Sequence, residues 1–157
     1  MRRTSAALTG MVLLLAACAP AASPSRASDE HRGDLRASAA ELYRQYGMAI
    51  SAPRREALAG FYSPVGAIRV INGTRRELTR GQLDSVYRGP WNPPEYFAWE
   101  ELTYDSIGVG RVVVTGGFRW KARGDPDTTR FLYAALLEAA DSGMTIRVEV
   151  ETARPPR

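Results

Sequence analysis

Few groups in this chain could do chemistry. Among its 157 residues there is one histidine, His31, and one cysteine, Cys18, and both precede the region whose apolar patterning indicates a folded core. A Ser-His or Cys-His nucleophile pair, or a His/Cys metal site, needs such a residue inside the domain. Both are excluded, so no catalytic residue, metal ligand or cofactor is assigned. Acids and phenols remain. Glu100-Glu101 and Asp105 lie in one strand-like run, and because strand neighbours face opposite ways, one glutamate could enter an interior. The plainer reading is a solvated pair at a strand bulge, since charged residues are rarely buried unpaired. Asp125 and Asp127 flank Pro126 and read as turn formers. Tyr46 could polarise a carbonyl with Glu101 as base, but a buried phenol commonly needs only one hydrogen-bond partner.

Cys18 has a clearer chemistry. Met1-Arg2-Arg3 is a basic start, and the apolar stretch Ala6 to Leu15 is far shorter than the roughly 20 residues of a membrane-spanning helix. The run ends in Leu15-Ala16-Ala17-Cys18, which resembles a bacterial lipobox. The resemblance implies cleavage before Cys18 and a diacylglycerol on its thiol, a fate that suits a lone cysteine. Each buried acyl CH2 contributes about 0.8 kcal/mol, and two or three chains together make a stable anchor. Ala19 stands where aspartate often marks inner-membrane retention. The expected location is therefore the cell envelope, on the periplasmic face of the outer membrane in a two-membrane cell. The segments read as signal peptide 1–17, lipidated cysteine and tether 18–33, domain 34–152 and tail 153–157. The tether is assigned on its Ala, Ser, Pro and charged residues, which lack apolar periodicity.

The formal charge of +4 overstates the cleaved chain, because Arg2 and Arg3 leave with the signal, and 19 basic residues against 17 acidic give +2. No basic cluster interleaved with aromatics lies on one face, so nucleic acid is rejected as a partner.

Within the domain, Leu35, Ala39, Leu42, Tyr46 and Ile50 recur at helical spacing, with Asp34 as a cap. A short second helix follows from Pro53 through Leu58 and Phe61. Asn72-Gly73 between Ala67–Ile71 and Thr74–Leu78 predicts a type I′ hairpin, and this explains the Asn72-Gly73-Thr74 sequon better than glycosylation does. Thr79 and Gln82 have the spacing of a capping box for a third helix, stopped at Gly89-Pro90. Four longer strands are expected at 96–107, 111–122, 129–140 and 144–152, divided by turn residues.

This layout, with Phe61-Tyr62, Leu78-Thr79-Arg80 and the run from Gly116 to Trp120, resembles the nuclear transport factor 2-like superfamily over about residues 34–152. The likeness is to its polyketide-cyclase-like and ketosteroid-isomerase-like branches. It implies an α+β fold in which three N-terminal helices pack on a strongly curved, mostly antiparallel sheet, a cone often holding a pocket. It also implies that Tyr46 occupies the position of an oxyanion-hole tyrosine. The two acids that accompany that tyrosine in isomerase-like relatives are unmatched here, where the chain has Ile68-Arg69-Val70-Ile71 and Ala135. Relatives also often carry His or Asp on the last strand, where this chain has Val148 and Val150.

Strand alternation then predicts the interior. Ile146, Val148 and Val150 are expected inward, with Thr145, Arg147, Glu149 and Glu151 outward; Phe131, Tyr133 and Ala135, and likewise Val114, Phe118 and Trp120, are expected inward. That makes an almost wholly apolar cone. The expected ligand-facing residues are Tyr46, Phe118, Trp120, Phe131, Tyr133 and Val148, around a small apolar ligand or simply filled by side chains. The first reading is thus a membrane-anchored, non-catalytic domain. The alternatives are an interaction or homodimer module using the outer sheet face at Thr115, Arg119, Arg147 and Glu149, and an isomerase or cyclase acting on a hydrophobic substrate through Tyr46 and Glu101.

Overall fold

A computed structural model describes residues 26–154, in which helices line one face of a six-stranded sheet. Helix α1 (Arg26–Ile50) opens ahead of the expected cap Asp34, so residues 26–33, read from composition as tether, are helical. Cys18 and the lipobox lie outside the described residues. Leu35, Ala39, Leu42, Tyr43 and Tyr46 form the buried stripe of α1, at the spacing that turns one helical face onto a sheet. The second expected helix is a single 3-10 segment, Glu56–Phe61, with Leu58 and Ala59 buried. The chain then adds briefly to the sheet at Tyr62, which bridges Ile146, while the Ser63 N–H donates to the Ile146 carbonyl at 3.0 Å.

Strands β1 (Ala67–Ile71) and β2 (Thr74–Leu78) form the expected hairpin. Asn72 and Gly73 have φ of 48° and 81°, the two positive values that a type I′ turn requires. Asn72 Oδ1 also accepts from the Ala153 N–H at 2.8 Å, so this side chain ties the turn to the end of the last strand. Helix α2 (Arg80–Arg88) carries the capping box: Gln82 Oε1 accepts from the Thr79 N–H at 2.8 Å, and Thr79 Oγ1 accepts from the Gln82 N–H at 3.3 Å. Such a cap contributes about 1 kcal/mol.

The meander follows as β3 (Tyr96–Ser106), β4 (Arg111–Lys121), β5 (Thr129–Ala140) and β6 (Gly143–Ala153). The strand order is β2-β1-β6-β5-β4-β3, antiparallel throughout except where β1 runs parallel to β6. The core lies between the sheet and the helices. Leu58, Leu83, Leu137 and Ile146 are essentially fully buried there, each contributing on the order of 1.5–3 kcal/mol.

Two irregularities shape the sheet. In β3 the register shifts between Glu100 and Thr103, and Glu101 has a φ of 50°. Gly116 opposite makes room, because a Cβ there would stand 2.9 Å from the carbonyl oxygens of both Glu100 and Glu101. In β6, Ile146 pairs with Leu137 and Val148 with Leu136, which leaves Arg147 as the extra residue of a bulge.

Candidate functional site

The β6 bulge decides what the cone contains. An inserted residue shifts the two-residue alternation, so every side chain beyond it changes face. Ile146 points into the core, but after Arg147 it is Glu149 and Glu151 that face inward, and Val148 pairs with Leu136 on the outer face. The expectation of an apolar interior is therefore corrected. Val148 does not line the pocket, and Glu149 is not an outer-face residue; its side chain is 1% exposed. Arg147 Nη1 donates to the Gly66 carbonyl, just ahead of β1, at 2.6 Å.

A buried carboxylate needs donors, and Glu149 has three. Oε2 accepts from Arg69 Nε at 2.7 Å and from the Tyr62 hydroxyl at 2.8 Å, and Oε1 accepts from the Tyr133 hydroxyl at 3.2 Å. The phenols behind them follow in sequence. With its proton committed to Glu149, Tyr62 accepts from Tyr87 at 2.8 Å and Tyr46 at 3.2 Å, and Tyr133 accepts from Tyr43 at 2.8 Å. Five of the seven tyrosines thus direct their protons toward one carboxylate. Burial pushes the pKa of Tyr43, Tyr46, Tyr62 and Tyr133 well up, so all four stay neutral donors. Burial opposes the charge on Arg69, but the surrounding Tyr62 and Glu149 oxygens outweigh it and hold its pKa above the ordinary value.

Glu151 differs from Glu149. Two residues on and on the same face, it accepts from Arg69 Nη2 at 3.1 Å and keeps 17% of its side chain exposed. Burial, reinforced by the Glu149 charge and opposed by Arg69, raises its pKa from 4.5 to about 7. A carboxyl tuned in this way can take or give a proton near neutrality.

Both acids open onto a cavity of about 240 Å³. Of the residues expected there, Tyr46, Phe118, Trp120, Phe131 and Tyr133 line it, and so do Trp91, Phe97 and Trp99. Phe118 and Phe131 stack at 4.6 Å, and Trp99 meets the Tyr133 ring at 5.0 Å. Its chemistry is an aromatic body with an acid, phenol and guanidinium end.

The acids first considered lie elsewhere. Glu100 pairs with Arg119 and Arg130 on the outer face, and Glu101, Asp105, Asp125 and Asp127 are exposed. Glu101 is thereby removed as a base, and the bulge reading of Glu100-Glu101 matches the strand geometry. Among the described residues no three His, Cys, Asp or Glu side chains are grouped to hold a metal ion.

Sequence reasoning passed over Arg69, Glu149 and Glu151. One signal was present: an interior supplied with several phenols requires an acceptor, and the nearest acids in the pairing order are on the last strand.

Solved structures share this architecture. A ketosteroid isomerase-like protein from Erwinia carotovora atroseptica is 15% identical, with 82% of this chain and 99% of that one covered at a TM-score of 0.60. An NTF-2 like protein of unknown function from Shewanella oneidensis is 16% identical, covering 74% and 97% at 0.61. The fold is that of the nuclear transport factor 2-like superfamily. The CamKII hub homology domain of Chlamydomonas reinhardtii is also similar in structure, at 16% identity, covering 76% and 98% with a TM-score of 0.60. No family model matches the sequence, and a search of curated proteins finds no match.

Proposed function

We propose that this chain is a lipid-anchored envelope protein whose cone binds a small molecule with a planar apolar body and moves a proton on it. One observation carries the reading: Glu151, with a pKa raised to about 7, faces an aromatic cavity that Tyr46 and Tyr87 also line. Glu151 is the base, and the Tyr46 hydroxyl, held neutral by burial, turns its proton from Tyr62, 3.2 Å away, to the substrate oxygen as charge develops there. Glu149 is already saturated by Arg69 and two phenols and serves as the fixed partner that orients Arg69. Mass spectrometry of the purified protein identifies the bound compound, and exchange in D2O tests the chemistry. Wild type should label an acidic carbon of that compound, and Glu151→Gln should not. Equal labelling by the variant rules out the base.

The anchor rests on the lipobox resemblance at Cys18. Seven residues, 19–25, separate Cys18 from the start of α1, and at about 3.5 Å per extended residue they hold the domain within about 25 Å of the bilayer. Cys18→Ser should release the protein from the membrane fraction; persistence there would refute the anchor.

A second reading concerns partners. The residues that the β6 bulge turns outward, Val148 and Val150, join Leu132, Leu136 and Val113 on the outer sheet face, and Leu132 is 54% exposed. We infer that this face pairs with a second copy, as the likeness to a hub homology domain also favours.

A further inference from the structure

Arg55 sits at the cavity wall with no acid partner among the described residues. Its guanidinium carbon lies 4.7 Å from the centre of the Trp91 ring and 5.6 Å from that of Tyr87, both cavity-lining residues. Nη2 is occupied, donating to the Val86 carbonyl at 2.8 Å and the Pro90 carbonyl at 3.3 Å. Nε is buried without a partner, and Nη1 makes no hydrogen bond among the described residues. The loop that carries Arg55 is held as well, because Trp91 Nε1 donates to the Ala52 carbonyl at 3.2 Å. The other cavity guanidinium, Arg69, is bound by both Glu149 and Glu151. Arg55 is therefore the one cavity-lining cation whose charge the described protein leaves unanswered. It is stacked on aromatics and pinned by two carbonyls, so little ordering is needed when an anion arrives.

We propose that Arg55 is the anion-recognising residue of this cavity and that its ligand is a planar organic carboxylate. The ring lies against the aromatic wall of Phe97, Trp99 and Phe118, and the carboxylate accepts from Nη1, the one guanidinium nitrogen of Arg55 that is neither occupied nor buried. A charged donor facing a charged acceptor makes the stronger class of hydrogen bond. A single negative charge fits best, because a dianion such as a phosphate monoester would face Glu149 and Glu151 across the same small space. The inference deepens the small-molecule reading and rests on it.

The test compares trans-cinnamate with its neutral isostere cinnamamide by calorimetry on the full-length protein. The indole N–H resonances of Trp91, Trp99 and Trp120, the chain's three tryptophans, report whether either probe occupies the cavity. Cinnamate should bind about tenfold or more tightly than cinnamamide, the ratio that an added charge-assisted bond would give. Arg55→Gln should bring the two probes within about twofold, and Arg55→Lys, which keeps the charge but not the stack, should retain part of the preference. Melting curves of both variants identify any loss of fold, and the Lys variant carries the test if the Gln variant unfolds. Equal binding of both probes with shifted indole resonances overturns the carboxylate assignment and leaves the pocket. A preference that survives Arg55→Gln also overturns it. Failure of both probes to shift any indole overturns this inference together with the aromatic-ligand reading.

Discussion

Arg69 and Glu149 stand opposite each other in the parallel β1–β6 ladder, and Arg69 Nε donates to Glu149 Oε2 at 2.7 Å with both side chains largely withdrawn from water. This pair links the β1–β2 hairpin to the meander and gives five phenols a common acceptor. An ion pair so placed is held by its hydrogen bonds, because Coulomb attraction alone rarely offsets the desolvation of two charges.

Removing one partner should therefore be far costlier than removing both. Glu149→Ala strands Arg69 and leaves Tyr62 and Tyr133 without their acceptor, and about 3–5 kcal/mol of stability should be lost. The double variant Arg69→Met/Glu149→Ala should recover a measurable part of it. Urea unfolding of the three proteins measures both values, and a single-variant loss below about 1 kcal/mol would show that the network does not hold the fold.

Glu151 makes stability depend on pH in a set direction. Its carboxyl rises from 4.5 to about 7 on folding, so between those values the folded state keeps a proton that the unfolded chain has released. Stability contributed by this group is thus highest below pH 4.5, falls as pH rises through the window, and levels off above about 7. Glu151→Gln removes the dependence. Its advantage over wild type should grow from pH 5 to pH 8, as followed by denaturant unfolding at each pH, and a constant difference would contradict the raised carboxyl.

Gly116 tests the β3 bulge. An added Cβ would lie 2.9 Å from two carbonyl oxygens and from Leu102 Cδ2, and overpacking of this kind costs about 1–3 kcal/mol. Gly116→Ala should lower the Tm accordingly. Gly60→Ala is the control, since nothing lies within 4 Å of its Cβ position, and it should stay within about 0.5 kcal/mol.

The outer face can be tested without disturbing the cone. Leu132 is 54% exposed, so Leu132→Asp should leave the Tm within a few degrees while shifting the protein from dimer to monomer in light scattering. A variant that remains dimeric, or a wild type that is monomeric at all concentrations, would exclude this face as the interface.

Much of this arrangement is legible in the sequence. Local signals act over a few residues, so Asn72-Gly73, the Thr79/Gln82 box, the Gly- and Asp-rich turns and the apolar stripe of α1 each specify their element alone. The aromatic wall of the cavity followed from plain alternation along β4 and β5, which carry no bulge between Val112 and Trp120 or between Phe131 and Leu136. Alternation failed on β6. The hydrophobic series Ile146, Val148, Val150 looks like one face, and nothing local announces that Arg147 is an inserted residue.

Local patterns in the sequence set the order of elements, the nuclear transport factor 2-like layout and the aromatic wall. Which acids enter the cone depends on how the strands pair. A bulge is a property of two strands in register, set by how β6 must bend to pair with β5 on one side and with Tyr62 and β1 on the other. That one-residue shift turns Glu149 and Glu151 from solvent toward Arg69 and the tyrosines, and so gives an aromatic cavity its acid–base end.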